Sequence, residues 1–234
     1  MSDNINVFGV TYNNVAGFKV KDINGVTHTF TEGTPIEILV PAGYTQLEYI
    51  QNDGTSYINT GKYWKDNSKL VAEIEMTNTQ SGWYHPFGST SMFVQLPQTT
   101  SPFGRTPNAV KLNDSNYVAG KPISWVRSIH ELTKTEYINK VGDISLSVAT
   151  FTSPTVSSNT NPIGIFCRIK NGSRDLPITG MKLYRFQLYE NNFLVQDLIP
   201  AMRNNDSVIG VYDIINNNFL TNASNSGSFV GGTL

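Results

Sequence analysis

Residues 179–222, TGMKLYRFQLYENNFLVQDLIPAMRNNDSVIGVYDIINNNFLTN, decide the fold. They read as strand, tight turn, strand, polar loop, strand, turn, strand. Tyr184, Phe186 and Leu188 alternate with Arg185 and Gln187, the period of a half-buried strand. Glu190-Asn191-Asn192 reads as a turn, because Asn tolerates left-handed backbone angles. Phe193 to Ile199 returns as a second strand, which Pro200 is expected to end by removing a ladder donor. Arg203-Asn204-Asn205-Asp206 is a loop without an apolar anchor. Val208 to Ile215 is a third strand, and Asn216-Asn217-Asn218 turns it into Phe219-Leu220. The stretch holds no catalytic pattern. It reads as the closing sheet of a β-sandwich, and the rest of the chain as what that sheet packs against.

Composition agrees. With 234 residues and 39% hydrophobic side chains, a large all-β domain plus a small appendage can bury a core. Charged residues are only 15%, below the usual ~25%, so solubility rests on Asn, Thr, Ser and Gly. That surface suits sugars or proteins better than a charged polymer. A net charge of −1 gives no electrostatic case for nucleic acid. The single Cys167 excludes an intrachain disulfide and lies in an apolar run, which reads as a buried, inert thiol. The polar start MSDNINVF carries no secretory pattern, so synthesis in a cytoplasm is expected. No apolar run approaches the ~20 residues of a membrane helix.

Taken in order, residues 1–40 read as a separate β segment. Asn24-Gly25 between Phe18–Ile23 and Val26–Phe30 is a strong hairpin signal, with Ile23 opposite Val26 and Lys21 opposite His28. So small a hairpin needs something to dock on. Ile36 to Val40 is a further strand or connector. From residue 41 strands are expected at Gln46–Ile50, Ser56–Thr60, Met92–Leu96, Ile123–Leu132, Tyr137–Val141, Ile144–Phe151 and Ile163–Ile169, with short ones at Val110–Leu112 and Tyr117–Val118. Leu70, Ala72, Ile74 and Met76 alternate most cleanly of all, against Val71, Glu73 and Glu75. Ser81–Ser89 is a loop or short strand, Gln98–Asn108 and Thr152–Pro162 are loops, and Lys62–Lys69 is a weak helical turn. Many short strands with turns every eight to twelve residues point to an all-β sandwich or jelly roll.

PAGYTQLEYIQNDGTSYINTG (41–61) resembles the opening of concanavalin A-like, laminin-G-like modules of bacteriophage and prophage structural proteins. KLYRFQLYENNFLVQDLIPAMRNNDSVIGVYDIINNNFLTN (182–222) resembles their closing strands. HPFGS (85–89) and Tyr137–Val141 are further landmarks. The resemblance covers 41–234 and implies an antiparallel jelly-roll sandwich displayed on a virion. Residues 1–40 resemble, more loosely, the β segments that attach such modules to particles. The expectation is therefore a structural protein of head decoration, fibre, tail or baseplate. It would adhere to host or mucosal glycan, contact other virion proteins through 1–40 and form a homo-oligomer, with a trimer as the guess. The alternative is a capsid or tail protein that binds no glycan. A glycosidase is the third reading.

Trp83, Tyr84, His85 and Phe87 cluster in a Gly-flanked segment, and Trp64 sits with Tyr63 in KYWKD. Trp and Tyr stack on the apolar faces of sugars, so Trp64, Trp83, Tyr84 and His85, with Arg105 as a hydrogen-bond donor, form the expected glycan-binding set. The bland reading is that these rings plug a sandwich edge or a subunit interface. Glu73 and Glu75 resemble the alternating acids of glucanases with this fold, but no second catalytic acid follows at 76–80 and no enzyme is expected. His28, His85 and His130 share no ligand spacing, so no zinc site is expected. Calcium, with no dedicated loop motif, is left open through the loop residues Asp53, Asp66, Asp114, Asp143 and Asp206.

Overall fold

The computed structural model describes residues 5–7, 10–12, 19–21, 27–29, 39–77, 82–90, 92–98, 108–111, 117–121, 126–142, 144–151 and 160–234. The chain divides into two compact units, Met1–Leu39 and Val40–Leu234. In the first, β1 (Ile5–Val7) pairs with β2 (Val10–Tyr12), and β3 (Lys19–Lys21) with β4 (Thr27–Thr29), all antiparallel. Lys21 stands opposite Thr27, one residue off the register a two-residue Asn24-Gly25 turn would set. A slip of one reverses which residues share a face. Residues 36–38 lie outside the described residues.

The second unit is a β-sandwich whose strand pairs are antiparallel except for β16 on β8. Its larger sheet runs β14 (Ile144–Thr150), β13 (Glu136–Val141), β12 (Ser128–Thr133), β7 (Ser68–Met76), β18 (Met181–Glu190), β5 (Tyr44–Gln51), β19 (Phe193–Arg203), β20 (Val208–Asp213), β21 (Asn218–Leu220), with β22 (Val230–Thr233) also on β5. The smaller sheet runs β17 (Ser173–Asp175), β16 (Arg168–Lys170), β8 (Gly82–Ser89), β15 (Gly164–Ile165), β6 (Ile58–Asn59), with β9 (Phe93–Gln98) also on β8. A separate hairpin joins β10 (Asn108–Lys111) and β11 (Tyr117–Lys121). There is no helix among the described residues, and Lys62–Lys69 is a turn at Asp66-Asn67 leading straight into β7.

β7 shows why the sheets meet as they do. Ser68, Leu70, Ala72, Ile74 and Met76 are buried, while the residues between them are half-exposed. That face joins Ile50, Leu183, Phe186 and Leu188 of its own sheet to Ile58, Phe87, Val94 and Ile165 of the other. Each fully buried Leu, Ile or Phe contributes roughly 1.5–3 kcal/mol.

β18, β5 and β19 pair with one another in all three combinations, each time antiparallel. Straight strands cannot do this, because two strands antiparallel to a third are parallel to each other. The set therefore bends. On β19 the neighbour changes between Leu198, opposite Phe186 of β18, and Ala201, opposite Gln46 of β5. Pro200 sits at that exchange, so the donor it lacks falls where the strand swaps partners. This is why β19 continues to Arg203 instead of ending at Ile199.

Two further expectations give way. The run Ile163–Ile169 is not one strand: β15 is antiparallel to β8 and β16 parallel to it, so the chain reverses at Phe166-Cys167. Phe166 takes φ 71°, and a Cβ at Gly164 would lie 2.9 Å from the Cys167 carbonyl oxygen, so only glycine fits the return. The strand expected from Ile123 begins at Ser128. Ser81–Ser89, read as loop or short strand, supplies the eight-residue β8.

Candidate functional site

The sequence-predicted set does not assemble at the surface. Trp64 is 3% exposed and belongs to the core. His85 is 0% exposed; its ring meets Phe93 edge-on at 4.8 Å and its Nδ1 lies 3.4 Å from the Asp175 carbonyl oxygen. Neither ring has a face for a sugar, so both are corrected to core side chains. Tyr84 is half-buried against the core. Trp83 stands opposite Pro97 in the β8–β9 pairing, and Arg105 lies outside the described residues, as do Asp114 and Asp143.

What the KYWKD loop does present is Tyr63, 47% exposed. At the same end of the sandwich the first residue of β19, Phe193, is 75% exposed, and Ile215, in the β20–β21 turn, is exposed too. The loops are tied together. Lys65 Nζ meets Glu190 Oε2 at 2.6 Å, the Asn67 and Asn191 side chains bond, and Asn191 N–H donates to the Asn67 carbonyl at 3.3 Å. Lys134 reaches Asp66 at 2.9 Å. Asn216 Nδ2 donates to the Val195 carbonyl at 3.0 Å, and Gln196 Nε2 to that of Thr60 at 3.0 Å. The result is a set of loops bonded to one another that carries exposed apolar groups and Asn side chains. Phe193 follows the Asn191-Asn192 turn, and that placement is the only sequence signal for it.

Toward the other end of the β20–β21 hairpin lies a groove of about 340 Å³, lined by Ser207, Val208, Ile209, Thr221, Asn222, Gly227, Ser228 and Phe229. Its walls are pinned. Asn222 Oδ1 accepts from the N–H groups of Tyr57 (3.1 Å) and Ser224 (2.9 Å), while Nδ2 donates to the carbonyls of Ser226 and Gly227. Asp53 accepts from Thr55, Ser56 and Ser228. A Cβ on Gly227, φ 77°, would stand 1.9 Å from Thr55 Oγ1. No short-range sequence signal marks this groove, because its walls come from segments that are apart in the chain.

The outward face of the larger sheet carries a dense ionic and aromatic network. Leu183 stands opposite Ile74 and Arg185 opposite Glu73, so Tyr184 is an extra residue, a β-bulge. The bulge moves Tyr184 from the expected core side to the outer side. There its hydroxyl donates to Glu75 and its ring lies 3.9 Å beneath the Arg127 guanidinium. Burial, then the Glu75 carboxylate, raises its phenol well above the ordinary range. Arg127 Nε bonds Glu73 at 2.6 Å, and Lys182 reaches Glu75 at 3.4 Å. Both acids that resembled glucanase residues are thus engaged by cations.

Among the described residues no three His, Cys, Asp or Glu side chains stand together as a metal would need. Asp66 is paired with Lys134, Asp206 with Arg203, and Asp53 with backbone donors. Cys167 is fully buried, with its thiol pushed up to about 12 chiefly by burial. No family model matches the chain, and no curated protein matches it.

Proposed function

We propose that this chain is a bacteriophage surface protein whose sandwich adheres to host or mucosal glycan and whose N-terminal segment attaches it to the particle. The carrying observation is the pair of exposed rings, Tyr63 and Phe193, on loops locked to one another. A rigid ring costs little ordering entropy on binding and stacks on the C–H face of a pyranose. The Asn side chains around the rings offer amide donors and acceptors for sugar hydroxyls. The resemblance of 41–61 and 182–222 to phage concanavalin A-like modules supplies the particle. Many copies would convert weak single sites into avidity. A binder rather than a hydrolase fits Glu73 and Glu75 being held by Arg127 and Lys182.

The test is a glycan array with the intact oligomer and a Tyr63→Ala/Phe193→Ala variant, alongside mass spectrometry of purified particles. Binding by the parent that the variant loses, with its fold unchanged, is expected. Absence of the chain from particles overturns the virion reading. Absence of binding by the parent leaves the second reading, a structural capsid or tail protein, which the burial of Trp64 and His85 favours.

A further inference from the structure

We propose that Asn171 is a latent deamidation site that Asn161 holds closed in the folded chain. The sequence has two Asn-Gly pairs, Asn24-Gly25 and Asn171-Gly172. In such a pair the glycine nitrogen, with no side chain beside it, can attack the Asn side-chain carbonyl carbon. The new C–N bond closes a five-membered succinimide. The side-chain nitrogen leaves as ammonia, taking the proton that the glycine nitrogen gives up. Water then opens the ring to aspartate or isoaspartate. An amide becomes a carboxylate, and water is the sole co-reactant.

Asn171 and Gly172 are exposed to that water. They form the two-residue turn between β16 and β17, with Lys170 opposite Ser173. Both have positive φ, 52° and 73°, the signature of a type I′ turn. Such a turn sets ψ of its first central residue at about +30°. The Gly172 nitrogen then stands nearly opposite the Asn171 Cβ across the Cα–C bond, whereas ring closure needs the two nearly eclipsed. The Gly172 N–H is held as well, donating to Asn161 Oδ1 at 2.7 Å. A nitrogen whose hydrogen is bound in this way keeps its proton and does not attack. Asn161 is itself fixed: it is 5% exposed, and its Nδ2 donates to Thr90 Oγ1 at 2.7 Å. Thr90 in turn donates to the Ile169 carbonyl at 3.3 Å. β17 alone is a weak hold on the turn, because it has three residues and ends the order of the smaller sheet. The Asn161 bond therefore limits how often the turn opens, and each opening exposes Asn171 to a reaction that does not reverse. Isoaspartate adds one atom to the main chain. That breaks the Lys170–Ser173 register and disturbs the Arg168–Asp175 ion pair of 2.6 Å on the same two strands.

The experiment ages the full chain in mildly alkaline buffer and follows Asn171 by peptide mapping, which separates the aspartate and isoaspartate products. A parallel sample in urea sets the unprotected rate. Asn171 should react far more slowly in the folded chain than in urea. Asn161→Ala should raise the folded rate about tenfold, the share that one hydrogen bond contributes to holding the turn. Asn161→Asp keeps an acceptor for the Gly172 N–H and should stay near the parent. Amide hydrogen exchange at Gly172 is the second reading: slow in the parent and in Asn161→Asp, fast in Asn161→Ala. Equal rates folded and in urea, unprotected exchange at Gly172 in the parent, or an Asn161→Ala chain with a parent-like spectrum and a parent-like rate each overturns the proposal. Should Asn161→Ala fail to fold, Asn161→Asp decides: a parent-like rate with slow Gly172 exchange supports the guard, and the rate seen in urea overturns it.

Discussion

Asp53 accepts the backbone N–H of Ser228 at 3.0 Å across 175 positions of sequence. The same carboxylate takes the N–H groups of Thr55 and Ser56, each at 2.8 Å. Burial works against its charge, but the N–H groups of Ser56, Thr55 and Ser228 outweigh it and hold the carboxyl far below the ordinary range. Asp53→Asn keeps one acceptor oxygen for residues 55 and 56 and turns an NH₂ group toward Ser228 N–H. We expect a loss of about 1–2 kcal/mol, discounted for solvent access, seen as a lower urea midpoint at constant slope. The sign with pH follows: a depressed carboxyl stabilises above its unfolded pKa and loses that contribution as pH falls below about 3.9. An Asp53→Asn midpoint equal to that of the parent at pH 7 would contradict the bracing role.

His130 is fully buried, and burial lowers its pKa from 6.5 to about 3. His130 Nε2 lies 3.0 Å from Ser128 Oγ and 3.3 Å from Asn139 Nδ2, and Nδ1 bonds Tyr137 Oη at 2.7 Å. The folded state keeps this ring neutral while the unfolded state protonates below about 6.5. The unfolded state then binds more protons, so stability is full above 6.5 and falls as pH drops toward 3, by up to about 1.4 kcal/mol per unit from this group. His130→Gln should be less stable at pH 7 by about 2–4 kcal/mol and show a shallower decline between pH 6.5 and 5. Denaturant titrations across that window, compared as parent minus variant, read the difference. Parallel curves would mean that His130 does not titrate on unfolding.

What the sequence shows of this fold follows the physics of one-sided burial. β7 is legible because one face meets the core and the other meets water, and the hairpins of 179–222 because Asn marks their turns. The reversal at Phe166-Cys167 is hidden because both flanking segments are buried on both faces, so no alternation exists to break. The bulge at Tyr184 shifts the inward phase without changing composition. In KYWKD, adjacent aromatic rings point opposite ways, and only tertiary packing decides that Trp64 goes in and Tyr63 out. The groove is least visible of all, since bonds such as Asp53–Ser228 assemble it from distant segments.

Cys167 should be chemically silent in the folded protein. Burial is the main cause of a thiol pushed up to about 12; Asp175 adds to it, and Arg174 opposes it. The thiolate fraction at pH 8 is on the order of 10⁻⁴, and no reagent reaches the sulfur without opening the β15–β16 reversal. A thiol-reactive dye should label the native chain only at the rate of unfolding and label it at once in denaturant. Fast native labelling at the rate of a free thiol would place the sulfur at the surface.

Arg185 closes a two-bond fork on Asp197, with Nε to Oδ1 at 2.9 Å and Nη2 to Oδ2 at 2.6 Å, while Gln187 adds a donor at 3.1 Å. The Asp197 side chain is 1% exposed and that of Arg185 40%, so the carboxylate, not the guanidinium, carries the desolvation cost. The bulge at Tyr184 is what keeps Arg185 on this side of β18. Arg185→Met leaves a buried carboxylate with Gln187 as its one side-chain donor from β18, and should cost about 2–4 kcal/mol, reduced somewhat by water reaching the vacated site. Adding Asp197→Asn should recover part of that loss by removing the stranded charge. A double-mutant cycle by urea unfolding measures the coupling, and additive single changes would mean that the fork contributes nothing beyond its separate side chains.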